Sequence, residues 1–132
     1  KSEAEQVRNV FKDHRYAARV LLLDYLSNDD IWELHNSCEL FISASLDEGF
    51  GIPLIDSLRA KKLIACSDIA VYRELAGDNV HYFGPDKAEN VIEILNSFNH
   101  KKLKNNNKFD YEKFESKVKE QLSSLTGAIN AL

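Results

Sequence analysis

Residues 40–60 read Leu40-Phe41-Ile42-Ser43-Ala44-Ser45-Leu46-Asp47-Glu48-Gly49-Phe50-Gly51-Ile52-Pro53-Leu54-Ile55-Asp56-Ser57-Leu58-Arg59-Ala60. A short apolar run, an acidic glycine loop and an apolar-periodic stretch follow one another. Leu40-Phe41-Ile42 reads as a strand and Pro53 to Ala60 as a helix, whose first turn accepts proline because an N–H there would be unpaired anyway. Gly49 and Gly51 flank an aromatic residue and let the backbone take φ > 0 or approach a ligand closely. The loop thus follows the carboxyl end of a strand, where open α/β sheets bind ligands. Free N–H groups at the helix start favour an anion such as a phosphate or diphosphate.

On either side of this stretch, strand-like runs alternate with helical patterns. Residues 2–13 read as a helix, and Val20-Leu21-Leu22-Leu23 as a strand covered on both faces. Ser27, with Asp30 three positions on, starts a helix that ends near Cys38. Downstream come a strand at Leu63–Cys66, a short helix at Ala70–Leu75, a strand at Val80–Phe83, a turn at Gly84-Pro85-Asp86 and a helix at Asn90–Phe98. The alternation predicts an α/β domain over residues 1–100, a Rossmann-like parallel sheet with helices on both faces. Residues 101–108 read as a polar connector and 109–132 as a C-terminal helix. Tyr111, Phe114, Val118, Leu122 and Leu125 form its apolar stripe, expected to dock on the rest of the protein.

The 132 residues, 44% of them apolar, are enough for one core or part of one, and the formal net charge of −4 speaks against a nucleic-acid partner. Lys101, Lys102, Lys104 and Lys108 are interrupted by Asn105, Asn106 and Asn107, so this basic run reads as solvated. No stretch has the length of a membrane span or the order of a signal peptide, which points to a cytoplasmic location. Cys38 and Cys66 lie in apolar surroundings without metal-ligand spacing and read as buried thiols. His14, His35, His81 and His100 share no pattern and receive no catalytic role. Arg73 and Glu74 read as a pair on a helix surface. The absence of an initiating methionine at Lys1 suggests a piece of a longer chain.

Glu-Gly-Phe-Gly-Ile-Pro-Leu-Ile over 48–55, followed by Ser-Asp-Ile-Ala-Val-Tyr-Arg-Glu-Leu-Ala-Gly-Asp over 67–78, resembles the C-terminal, donor-binding half of GT-B glycosyltransferases of family 4. These are retaining enzymes that use nucleotide sugars. The second segment is most similar to bacterial enzymes of O-antigen or capsule synthesis, many of them mannosyltransferases. The resemblance runs from about Val20 to Phe98 and resumes at Phe109-Asp110-Tyr111-Glu112-Lys113.

The resemblance implies a set of roles. Glu48 is the carboxylate that faces the donor sugar. Gly49, Phe50, Gly51 and Ile52 hold the sugar and diphosphate, and Asp56 takes the ribose, each carboxylate accepting charge-assisted hydrogen bonds from paired hydroxyls. Asp56 stands where the family usually has glutamate and reaches less far. Tyr25 and Leu26 match the region that packs the base. No metal or other cofactor is implied.

The expected partners are a nucleotide-sugar donor, a glycan or lipid-linked acceptor and an N-terminal GT-B half that would carry the acceptor site. Peripheral association with the inner face of a membrane would run through that half. The phosphate-clamping basic residues of the family lie upstream of Lys1. In the strand order 3-2-1-4-5-6, Val20–Leu23 and Leu40–Ile42 would be strands three and four, with a gap between them. The 132 residues alone are therefore expected to be inactive. The alternative is a non-catalytic module of the same fold that binds a nucleotide sugar or a protein; a receiver-like signalling domain lacks its acidic cluster here.

Overall fold

The computed structural model describes residues 3–12 and 19–131, so Ser2, Asp13, His14 and Leu132 lie outside the described residues. Contacts divide the chain into two units, Lys1–Ile31 and Trp32–Leu132. In the first, α1 spans Glu3–Phe11, within the helix expected at 2–13, and Arg8 pairs with Asp24.

Val20–Leu23 is not a strand. Leu21, Leu22 and Leu23 are exposed, and among the described residues no ladder pairs their backbone. An apolar run becomes a strand only when a neighbouring strand takes up its N–H and C=O groups. The expectation of a third strand at this position is therefore corrected. Ser27 does cap the next helix, α2 (Asn28–Ser37). Its Oγ accepts from the Asp30 N–H at 3.2 Å, while the Asp30 carboxylate accepts from the Ser27 N–H at 3.3 Å, a reciprocal capping box.

The second unit is built on three parallel strands, β1 (Leu40–Ser43), β2 (Leu63–Ser67) and β3 (His81–Phe83), in spatial order β1-β2-β3. Phe41 lies opposite Ile64 and Cys66 opposite Tyr82. Helix α3 (Ile52–Arg59) connects the first pair of strands; α4 (Ala70–Ala76) and a 3-10 turn at Gly77–Asn79 connect the second. The chain then continues into α5 (Ala88–Asn99) and α6 (Tyr111–Asn130). This is the α/β alternation expected, a parallel sheet with helices around it. β2, in the centre, is buried from Ile64 to Ser67, whereas β1 is half-buried throughout. Leu54, Leu58, Ile64, Cys66, Tyr72, Ala76, Val80 and Phe109 make one core cluster, and burial of such side chains is worth about 1.5–3 kcal/mol each.

Helices α3 and α5 both close on a turn without glycine. After α3, the Lys61 N–H bonds Leu58 O at 3.1 Å and the Lys62 N–H bonds Ser57 O at 3.1 Å. After α5, Lys101 and Lys102 repeat the arrangement on Phe98 and Ser97, both at 2.8 Å. These are Schellman turns with a lysine at φ 58° and 55° in the place usually held by glycine.

The Asn-rich segment is more than a solvated connector. Asn105 Nδ2 donates to Lys61 O at 2.9 Å, and Asn107 Nδ2 donates to Leu58 O at 3.1 Å and Lys62 O at 3.2 Å. The two side chains thereby tie this segment to carbonyls in and after the last turn of α3.

Arg59, near the end of α3, lies over the rings of Trp32 and Tyr111 at 4.8 and 4.6 Å. The stripe of α6 is docked only at its start. Phe114 meets the buried Phe109 with ring centroids 5.5 Å apart, but Leu122 and Leu125 are exposed. No described helix is long and apolar enough to cross a membrane.

Candidate donor site at the start of helix α3

β1 ends at Ser43, and residues 44–51 carry the chain from the carboxyl end of the sheet into α3. This loop folds onto its own carboxylate. Ser45 Oγ donates to Glu48 Oε1 at 2.7 Å, and the Glu48 N–H donates to Asp47 Oδ1 at 2.9 Å. Tyr72, in α4, donates to the same Glu48 oxygen at 3.3 Å and lies 2.6 Å from Ser43 Oγ. Phe50 on the loop and Ile52 at the first position of α3 are exposed.

The two glycines differ. Gly51 is the N-cap of α3 at φ 72°, ψ 41°, left-handed backbone that a side chain disfavours. A Cβ there would come within 3.0 Å of Leu75 Cδ1 and 3.2 Å of Tyr72 Cε1. Glycine is thus required at 51 by backbone conformation and by packing against α4. At Gly49 a Cβ would meet nothing within 4 Å, so the open space beside the loop lies there.

α3 begins with Pro53 in its first turn, no side-chain cap and no acidic residue to offset the helix dipole. Its N-terminal end is left to attract an anion from outside the segment. Asp56 lies on the next turn, half-buried. Beside it His35 of α2 is buried, with Nδ1 2.7 Å from Ser57 Oγ. Burial pushes the imidazole below its ordinary pKa, against a smaller upward pull from Asp56.

At the end of β2, Asp68 is gripped by Arg73 through Nε at 2.6 Å and Nη2 at 2.8 Å. The hydrogen bonds from Arg73 hold the exposed Asp68 carboxyl below the usual carboxylate range. Arg73 therefore pairs with Asp68 and not with Glu74, and it also lies 3.8 Å from the Tyr82 ring centroid. Tyr82 Oη lies 2.8 Å from Gly77 O and 3.1 Å from Tyr72 O, and its single proton is shared between the two carbonyls. Cys66 is buried and its thiol pushed up to about 12 by desolvation, so it is unreactive. Cys38 is half-buried and bonds His35 O at 3.4 Å.

Glu48, Gly49, Phe50, Gly51, Ile52 and Asp56 are thus brought together on one loop and helix start. Tyr25 and Leu26 belong to the other unit, where Tyr25 is 96% exposed and Leu26 half-buried. Reading the sequence did not single out Tyr72, Ser43, His35 or Ser57, whose partners lie 22 to 29 positions away. Ser45 could have been found, since it sits three residues before the carboxylate it binds. Among the described residues no three His, Cys, Asp or Glu side chains converge as metal ligands. An open cleft of about 700 Å³, lined by Ser37, Cys38, Lys61, Leu63, Phe98 and Lys101 among others, lies at the amino ends of β1 and β2, away from the Glu48 loop.

The profile of the family described as Glycosyl transferases group 1 matches residues 1–116. Among curated proteins, the serotype-specific mannosyltransferase WbdA of Escherichia coli is 28% identical over 78 residues, 59% of this chain and 10% of that protein. The O-antigen chain mannosyltransferase RfbU of Salmonella typhimurium is 28% identical over 83 residues, 63% of this chain and 24% of that protein. Sucrose-phosphate synthase from Thermosynechococcus elongatus superposes on 96% of the chain with a TM-score of 0.73 at 12% identity, covering 35% of that structure. Anabaena HepE, solved in complex with UDP and glucose, gives 0.70 over 92% of the chain at 20% identity and 36% coverage of that structure. The chain therefore spans about a tenth to a quarter of the length of these curated relatives.

Proposed function

Because the chain belongs to the Glycosyl transferases group 1 family and has the α/β fold of GT-B glycosyltransferases, we propose that it supplies the donor-binding part of a transferase. The reaction moves a hexose, mannose in the first instance, from a nucleotide diphosphate sugar to a glycan or lipid-linked acceptor in surface polysaccharide synthesis. The mannose reading is supported by the likeness to WbdA and RfbU. Retention of anomeric configuration and the acceptor-binding half are carried over from the family resemblance.

The observation that carries this reading is the uncapped start of α3 between two carboxylates, Glu48 before it and Asp56 inside it. The diphosphate sits at the helix start, where unpaired N–H groups and the helix dipole meet its charge, and the same groups stabilise that charge as it grows on the leaving group. Glu48 accepts hydrogen bonds from hydroxyls of the donor sugar through Oε2, which has no partner among the described residues. Asp56, whose carboxylate has no hydrogen-bond partner among the described residues, accepts from the ribose hydroxyls. Open space at Gly49 leaves room for the sugar. No metal is called on in this scheme, because the helix start carries the role of a counter-charge.

The test is a transfer assay with a set of nucleotide diphosphate hexoses, comparing the intact transferase with Glu48→Gln. Turnover should fall by roughly 100-fold, as for loss of a group that stabilises the transition state. Equal turnover in the two proteins would remove Glu48 from the chemistry. Tight donor binding without any transfer would favour a non-catalytic binding module.

A further inference from the structure

The Glu48 carboxylate is held by one oxygen. Two hydroxyls converge on Oε1, Ser45 Oγ at 2.7 Å and Tyr72 Oη at 3.3 Å, and the other oxygen is left without a partner among the described residues. Ser45 comes from the same loop, so its bond cannot register the carboxylate against the sheet. Tyr72 can. It is 2% exposed and belongs to the core cluster, and its ring atom Cε1 lies 3.2 Å from where a Cβ would stand on Gly51. Its hydroxyl is 2.6 Å from Ser43 Oγ at the end of β1.

The direction of these bonds is fixed by proton count. An ionised carboxylate only accepts, and a tyrosine has a single hydroxyl proton. Tyr72 therefore donates to Glu48, and Ser43 Oγ donates to Tyr72. The ring meets the loop at Gly51, where it enters α3, and the hydroxyl holds it three residues earlier at the carboxylate.

We infer that Tyr72 is the positioning residue for Glu48, fixing one carboxylate oxygen so that the other is presented to the donor sugar. The inference rests on the proposed role of Glu48 and adds a residue that sequence spacing did not indicate. A side chain held by packing and by hydrogen bonds from its surroundings loses less freedom when it meets substrate, which is how such supporting contacts raise turnover.

The experiment is a double-mutant cycle in the intact transferase with Tyr72→Phe, which keeps the ring against Gly51, and Glu48→Gln. Tyr72→Phe should lower kcat by about 10-fold. Affinity for the bare nucleoside diphosphate should stay within about twofold, since that ligand lacks the sugar. In the Glu48→Gln background, Tyr72→Phe should change kcat by less than about twofold. Ser43→Ala, which removes the donor to Tyr72, should shift kcat in the same direction by a smaller factor.

Full additivity of the two changes, or a matching loss of nucleotide affinity, would show that Tyr72 acts on the fold as a whole and would overturn the inference while leaving Glu48 in its role. A silent Tyr72→Phe alongside an impaired Glu48→Gln would do the same. A silent Glu48→Gln would overturn the reading of Glu48 itself and the inference with it.

Discussion

His35 Nδ1 and Ser57 Oγ lie 2.7 Å apart in a buried contact that joins α2 to α3 at the residue next to Asp56. The imidazole is kept below its ordinary pKa by burial, so the folded protein favours its neutral form. The unfolded chain takes up a proton near pH 6.5, whereas the folded one does so only at lower pH. Stability tied to this histidine is therefore complete above about pH 6.5 and is lost as pH falls below it. Thermal unfolding between about pH 7 and pH 5 should show a steeper loss in the parent than in His35→Gln, which cannot titrate. Equal slopes would mean that His35 takes up its proton as readily in the fold as in the unfolded chain.

The glycines of the loop should separate by stability. Gly51→Ala places a side chain at φ 72°, a cost of about 1–2 kcal/mol for left-handed backbone. Crowding against Tyr72 and Leu75 adds to it. Gly49→Ala meets open space and should stay within about 0.5 kcal/mol of the parent. Denaturant titration reads both. A Gly51→Ala protein as stable as the parent would show that the helix start tolerates a side chain.

The Asn strap gives a third expectation. Asn107→Ala removes two bonds to carbonyls at the end of α3 and should cost roughly 1–3 kcal/mol. Lys101→Gly should stabilise by up to about 1 kcal/mol, because its position in the turn after α5 is left-handed. Both are read as shifts in unfolding midpoint, and a neutral Asn107→Ala would return this segment to a mere connector.

How far the sequence spoke depended on whether the deciding signal was local. Leu40 to Ala60 declared strand, loop and helix because apolar spacing, Pro53 and the glycines all act within a few residues. Ser27 and Asp30 were legible as a cap for the same reason. Val20–Leu23 misled because strand formation depends on a pairing partner, which an apolar run does not encode. The ends of α3 and α5 carried no glycine signal, since Lys61 and Lys101 accept left-handed backbone there. Leu122 and Leu125 continued a helical stripe that packing does not use. Glu48 and Asp56 were readable as a pair through the family resemblance, but the groups that hold their surroundings, Tyr72, Ser43 and His35, arrive from other elements through contacts made only in the fold.

The central claim is that the start of α3 binds a nucleotide-sugar donor with Asp56 on its ribose, and calorimetric titration of Asp56→Asn tests it most directly. Loss of charge-assisted bonds to the ribose should weaken the bare nucleoside diphosphate and the nucleotide sugar alike, by roughly 10- to 100-fold. Asp56→Glu, which keeps the charge, should be the milder change. If Asp56→Asn binds the bare nucleotide as tightly as the parent does, Asp56 does not hold the ribose and the proposed donor site is contradicted.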